Sequence, residues 1–465
     1  MNTKQLRQKI LDLAIRGKLV PQDPNDEPAS VLLEKIRAEK ERLIKEKKIK
    51  RDKNYFSNSS SGMSHYQNVP FSVPEGWVWV KLEDIAFLKA GFFVKADDIS
   101  KEYHENLFPC YGGNGLRGYV TTFTHEGLYS LIGRQGALCG NINLVHGKFH
   151  ATEHAIVTSL YTKINSIWMF YVLKALNLNQ YAIGAAQPGL SVERINKVLC
   201  PLPPFPEQQR IVSVVQKVFA LIDEIDSNKL SLQQFIKQSK SKVLDLAIRG
   251  KLVPQDPDDE PASALLERIK NEQKTKKTTA DIFPYPFEIP ENWVWCKLGE
   301  INNIARGGSP RPIKDYLTNS EDGINWIKIG DTKKGEKYIF STQEKIIREG
   351  IRYSRLVNID DFLLTNSMSF GRPYILKTSG CIHDGWLVIS IEKELLDIDF
   401  MYYLLRSDFM YNQFFNTAVG STVKNLKIES VQQIPFPIPP LFEQQRIVQK
   451  IETVFTELDT IEDNL

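Results

Sequence analysis

The sequence predicts an α+β molecule built twice. It reads as two mixed α/β domains related by pseudo-two-fold symmetry and joined by long antiparallel helices that pack as a coiled coil. Three observations predict it. Asp12 to Pro24 reads DLAIRGKLVPQDP, and Asp245 to Pro257 reads the same, an offset of 233 residues between positions 12 and 245. Two further blocks recur in the same order. A stretch with apolar residues spaced by three and four lies between the halves, which marks a long helix.

The first block continues past its identical core, where Asn25-Asp26-Glu27-Pro28-Ala29-Ser30 returns as Asp258-Asp259-Glu260-Pro261-Ala262-Ser263. The second is Pro74-Glu75-Gly76-Trp77-Val78-Trp79-Val80-Lys81-Leu82, echoed by Pro290-Glu291-Asn292-Trp293-Val294-Trp295-Cys296-Lys297-Leu298. The third, Pro203-Pro204-Phe205-Pro206-Glu207-Gln208-Gln209-Arg210-Ile211-Val212, returns as Pro439-Pro440-Leu441-Phe442-Glu443-Gln444-Gln445-Arg446-Ile447-Val448. Between the second and third blocks the halves look largely unrelated, so the design reads as a duplicated frame around two different inserts. The chain ends and begins at nearly the same point of its own repeat. The region 1–52 is therefore expected to complete the C-terminal helix 441–465, as the continuous segment 206–280 does in the middle.

From Glu207 to Arg249 the apolar positions Ile211, Val215, Ile222, Leu232, Ile236, Val243 and Leu246 keep helical spacing. Pro206 opens this helix, Gly250 suits its C′ position, and Pro254 and Pro257 prevent continuation. A second helix follows near Asp259, with Pro261 in its first turn. The alternative makes these ordinary core helices of two globular domains. The basic run Lys40 to Arg51 fits a solvated helix end or a contact with DNA or a partner. Ser57 to Gly62 reads as a linker, and Lys274 to Ala280 as the matching boundary. Trp77 and Trp79 alternate as strand residues do, and recur with the frame. That favours packing at the root of each domain over stacking on unpaired bases.

In the first insert, Tyr111-Gly112-Gly113-Asn114-Gly115-Leu116-Arg117-Gly118-Tyr119 gathers glycines around an amide and a guanidinium. Glycines let a backbone approach another surface, and Asn and Arg suit adenine and guanine edges. A tight hairpin with no ligand is the plain alternative. Arg134 and Gln135 follow an apolar run, as do Ser367, Ser369 and Arg372 in the second insert, so these loops are expected to be equivalent. Ser309 and Arg311 in Gly307 to Arg311, and Thr422, Lys424 and Asn425 after Gly420, add hydroxyls, amides and cations suited to phosphate and base contacts.

Several classes are excluded or left unsupported. No apolar run reaches the ~20 residues of a membrane span, and no apolar signal core follows Met1, so a cytoplasmic location is the default. Five scattered cysteines form no CxxC pair. A net charge of +3 argues against a uniformly basic coat but leaves room for a local basic groove. His146, His150 and His154 would share a face only on a helix, and Gly147, Phe149 and Thr152 make a helix poor there. Neither a phosphate loop for ATP nor the motifs of an adenine methyltransferase are present, so the chain reads as a binder.

The paired frames, the LAIRGKLVPQDP repeat and the Tyr-Gly-Gly-Asn-Gly loop resemble the specificity subunit of type I restriction–modification enzymes, over nearly the whole chain. The resemblance implies two target-recognition domains, 66–205 and 284–440, each reading one half of a bipartite, asymmetric site on double-stranded DNA. It also implies two modification subunits that methylate adenine with S-adenosylmethionine, and restriction subunits that use ATP and magnesium. Those cofactors belong to the partners, and none is expected in this noncatalytic chain. Identical frame residues, Arg16/Arg249, Lys18/Lys251, Gln22/Gln255 and Arg210/Arg446, are expected to present one surface twice, to two copies of the modification subunit. A turn (~5.4 Å) inserted before Leu230 should then lengthen the recognised spacer. A protein–protein scaffold with two variable domains is the competing reading.

Overall fold

The helical spacing after Pro204 becomes one unbroken helix, Phe205–Ile248, of 44 residues, roughly 66 Å long. In a computed structural model, residues 2–49, 69–136, 138–184, 188–272, 285–333, 335–366, 371–418 and 425–465 are described. The chain divides within the long helix into two units, Met1–Asn228 and Lys229–Leu465. Among the described residues no helix is long and apolar enough to cross a membrane.

In the first unit the N-terminal helix Thr3–Ile15 is capped by Asn2, whose side chain accepts from the Gln5 amide while Gln5 returns the bond. It buries Leu11, Ala14 and Ile15 in one core with Ile211, Val212 and Val215 of the long helix. Arg7 meets Asp223 at 2.7 Å, so the two helices run in opposite directions. In the second unit Lys240 and Asp459, the corresponding positions of the repeat, also pair. There the C-terminal helix Leu441–Asp463 runs against the long helix, Lys229 meeting Leu465 and Lys240 meeting Asp459.

Each end of the repeated frame is locked the same way. Trp77 Nε1 donates to Glu207 Oε2 at 2.9 Å, and Gln22 Nε2 donates to Glu207 Oε1 at 2.7 Å. In the second unit Trp293 and Gln255 hold Glu443 at 3.0 and 2.7 Å. Arg210 forks onto Asp26 with a closest approach of 2.6 Å, and Arg446 onto Asp259 likewise at 2.6 Å. Arg16 and Arg249 bond Asp12 and Asp245 one helical turn back, and each lies 4.4 Å from a phenylalanine ring centroid, Phe71 and Phe287. Trp77 and Trp293 are thus packing residues, each 4% exposed. Gly250 occupies the expected C′ site with φ +67, as Gly17 does with φ +66. A Cβ on either would stand 2.4 Å from a proline Cγ, that of Pro74 or Pro290.

The inserts correct the expectation of unrelated halves. The first unit has a six-stranded sheet that begins, in spatial order, with Ala86–Ala90, Ala155–Leu160, His125–Gly133 and Ile142–Ala151. A sheet of the second unit begins with Asn303–Arg306, Trp386–Ser390, Phe362–Thr365 and Pro373–Leu376. All neighbouring pairs in both sets are antiparallel. The four-stranded scaffold has therefore outlived its sequence similarity. Backbone ladders define it, and many apolar side chains satisfy a buried strand, so little residue identity is needed. Beyond these strands the units differ. The first adds Phe108–Gly112 and Gly115–Val120, while the second adds the edge strand Tyr338–Ile339 and a separate five-stranded sheet.

One detail differs from expectation. The helix after the second repeat starts at Ala262, placing Pro261 ahead of its first turn, where the missing N–H costs nothing. The helix Ala29–Lys45 ends inside the basic run. There Arg42 is taken up by Glu39 and Glu46, and Lys40 donates to the Glu83 carbonyl, which fits a solvated helix end. Lys50, Arg51, the linker Ser57 to Gly62 and the boundary Lys274 to Ala280 lie outside the described residues.

Candidate nucleic-acid interface

In the first unit the Tyr-Gly-Gly-Asn-Gly loop is a two-residue hairpin, with Gly112 opposite Gly115 and Tyr111 opposite Leu116. Gly113 is buried against the loop after His125–Gly133. A Cβ there would lie 2.8 Å from the His154 carbonyl oxygen and 3.1 Å from Gly133 Cα. Asn143 also donates to the Gly113 carbonyl at 3.5 Å. This close approach brings Gly113, Asn114 and Arg117 to one open cleft of about 290 Å³ with Gln135, Gly136 and His154. Asn114, Arg117 and Gln135 are exposed there and Arg134 is half-buried. Tyr111 turns its ring inward, 6.0 Å from that of Phe149, and burial raises its phenol pKa. Tyr111 and Gly113 therefore hold the hairpin, while Asn114, Arg117 and Gln135 face solvent.

The second unit gathers its loops around the turn His383-Asp384-Gly385. Ser309 Oγ donates to Asp384 Oδ1 at 2.9 Å, Arg311 Nη2 approaches Oδ2 at 3.4 Å, and Arg306 Nε donates to the Asp384 carbonyl at 3.1 Å. The Asn366 amide donates to the Gly385 carbonyl at 2.9 Å, and the Leu426 amide donates to Asn366 Oδ1 at 3.0 Å. Arg372 is exposed, and Asn425 half-buried beside Leu426. Ser367, Ser369, Thr422 and Lys424 lie outside the described residues, but the flanks of both their segments meet at this turn. Burial tends to raise the Asp384 carboxyl, yet the Ser309 bond and the neighbouring His383 and Arg311 outweigh it and hold it below its ordinary range.

These two sites are built on the same bonds. Gly91 N donates to the Ala155 carbonyl and Gly307 N to the Trp386 carbonyl, each at 3.0 Å. A Cβ on Gly91 or Gly307 would lie 2.1 Å from the carbonyl oxygen of Ala151 or His383. The Arg134 amide bonds the His154 carbonyl as Asn366 bonds Gly385, and Leu190 N bonds the Arg134 carbonyl as Leu426 N bonds that of Asn366. The expected equivalence of these loops is thus present in the backbone bonds of Arg134 and Asn366. On this common base the side chains differ. The first unit exposes Asn114, Arg117 and Gln135 and, past the strand Ala86–Ala90, Phe92 and Phe93; the second exposes Arg306, Arg311 and Arg372. The aromatic pair and Asp384 had no motif to announce them.

His146 and His150 fall on the strand Ile142–Ala151 and His154 on the turn after it. Among the described residues no group of three or more His, Cys, Asp or Glu is placed to hold a metal. Of the eight frame residues expected to face a partner, six make the internal bonds described above. Those bonds account for their identity between the halves. Lys18 and Lys251 are exposed.

The type I restriction modification DNA specificity domain, as a family model, matches residues 74–233 and again 290–465, each match opening at the same point of the frame. The specificity subunit of the type I restriction enzyme EcoAI of Escherichia coli is 26% identical, over 97% of this chain and 88% of its own length. That of EcoprrI, also from Escherichia coli, is 43% identical over 145 residues, 31% of this chain and 36% of its own. A solved structure from work on complex assembly and conformational transition of the type I R-M system aligns with TM-score 0.55 at 17% identity. It covers 85% of this chain and 94% of the solved one, a likeness of fold.

Proposed function

The chain belongs to the type I restriction modification DNA specificity family, and from that premise we propose that it is the noncatalytic subunit that selects the DNA sequence. Each unit reads one half of a bipartite, asymmetric site on double-stranded DNA. One observation carries this reading. The same four-stranded scaffold occurs twice and brings loops of different chemistry to the same place, next to the turns 152–154 and 383–385. A common base with divergent tips suits two readers of two different half-sites. Backbone amides and cations on such loops position phosphates, while Asn, Gln and Arg discriminate base edges.

Modification and restriction subunits act with the chain. Methylation of an adenine amino group requires the base to leave the stack, so the modification subunits sit beside the readers. They supply S-adenosylmethionine, and the restriction subunits use ATP and magnesium; this chain holds none of the three. The helices dock two modification subunits in the cytoplasm. What supports this is the exposed apolar surface on the long helix: Leu221 and Ile225 in the first unit, and Leu230, Leu232 and Phe235 in the second. Exposed apolar surface of that kind marks interaction sites. Lys18 and Lys251, exposed at the same position of the repeat, are the proposed contacts with the two subunits.

The test is duplex binding by the chain purified with modification subunits. Sequence-dependent binding that weakens steeply with salt is expected. Binding to proteins with no duplex affinity at low salt would favour the scaffold instead.

A further inference from the structure

We propose that Asp384 is a positioning residue that aims Arg311 at a guanine in the half-site read by the second unit. This rests on the DNA-reading assignment above. A carboxylate in a surface that meets phosphates is repulsive unless its charge is engaged. Asp384 is engaged on both oxygens, by Ser309 Oγ at 2.9 Å on Oδ1 and by Arg311 at 3.4 Å on Oδ2. Its own amide donates back to Ser309 Oγ at 3.4 Å, and Arg306 bonds its carbonyl. The carboxylate is thereby fixed in direction. Close backbone packing of Gly307 on His383 fixes the strand end from which Ser309 and Arg311 project.

The Arg311 side chain is 80% exposed and that of Asp384 48%. An ion pair that open contributes little to stability, so holding the fold together does not explain it. Orientation does. Guanidinium has five N–H donors in a rigid fork. One edge held by Asp384 leaves another for the O6 and N7 acceptors of guanine, a bidentate match that a mobile arginine makes less selectively. Ser309 then acts by holding Asp384 and not by touching DNA.

The first unit lacks this device at the equivalent place. There Gly91 is followed by Phe92, Phe93 and Val94, and Lys95 stands where Arg311 does. In the corresponding turn Glu153 pairs with His154 at 3.1 Å. A lysine has no fork, so this guanine contact belongs to the second unit's half-site alone.

The experiment maps adenine methylation by the complex of this chain with its modification subunits, for wild type, Asp384→Asn and Arg311→Lys. Asparagine keeps an acceptor for Ser309 but loses the charge that holds Arg311. Lysine keeps the charge and loses the fork. Both variants should lose guanine preference at one base pair of one half-site, by between about fivefold and about 150-fold. The other half-site and the melting temperature should not change. Unchanged base preference in Arg311→Lys, whose exposed side chain cannot unfold the unit, would overturn the proposal. So would an equal loss over all sequences, the mark of a phosphate contact. A wild-type complex without any sequence preference would instead overturn the DNA-reading assignment, which is a separate outcome.

Discussion

Replacing Trp77 by Phe tests whether the repeated frame is held by its buried carboxylate. Trp77 is 4% and Glu207 1% exposed, and the indole N–H is 2.9 Å from Glu207 Oε2. Removing a donor from a buried charged group costs about 1.5–3 kcal/mol. The ring atoms lost leave a space on the order of 50 Å³, worth about 1 kcal/mol. Trp77→Phe should therefore destabilise by about 2.5–4 kcal/mol, and Trp293→Phe, with its bond of 3.0 Å to Glu443, by the same within about 1 kcal/mol. Trp79 is the internal control. Its indole N–H meets no acceptor among the described residues, so Trp79→Phe should cost about 1 kcal/mol or less. The assay is urea unfolding of the full chain followed by far-ultraviolet circular dichroism. A cycle with Glu207→Gln should show coupling of about 1–2 kcal/mol between Trp77 and Glu207. Equal costs at Trp77 and Trp79, or no measurable coupling, would refute the reasoning.

Gly17→Ala and Gly250→Ala place a Cβ at positive φ and 2.4 Å from a proline ring; each should cost about 2–5 kcal/mol, read as a lower denaturation midpoint. Burial first, opposed by bonds from Trp and Gln, raises the carboxyl pKa of Glu207 and Glu443 above the ordinary value of 4.5. The folded state then binds more protons, so their contribution is full below that value and is lost as pH rises through the folded pKa. Glu207→Gln with Glu443→Gln should consequently lose less stability than wild type between pH 4.5 and neutrality, measured by unfolding across that range. Lys18→Glu should reduce the modification subunits bound from two to one, and adding Lys251→Glu should leave none, as native mass spectrometry would count them.

The frame was readable because it is written twice. Identity at Trp77, Glu207 and Gln22 and their copies marked residues under one constraint, and the spacing of Ile211, Val215 and Ile222 marked the helix. Identity did not say which way the constraint points. Gln22 reaches a partner 185 positions away in the same chain, and nothing local separates such a strut from an outward contact. The loops after the apolar runs at 132 and 364 were found because small polar residues follow buried strands. The shared scaffold was not, because strand pairing runs through backbone groups that every residue carries. Asp384 stayed hidden for a similar reason. It is one acid in a short turn, and its meaning comes from Arg306, Ser309 and Arg311, more than 70 positions earlier.

The claim that each unit reads its own half-site is tested most directly by methylation mapping of a complex in which Asn114, Arg117 and Gln135 are all replaced by Ala. These residues share one cleft of the first unit and take no part in the frame. The expected result is a bipartite motif with one half relaxed and the other half and the spacer unchanged. A motif altered in both halves, or in neither, would contradict it.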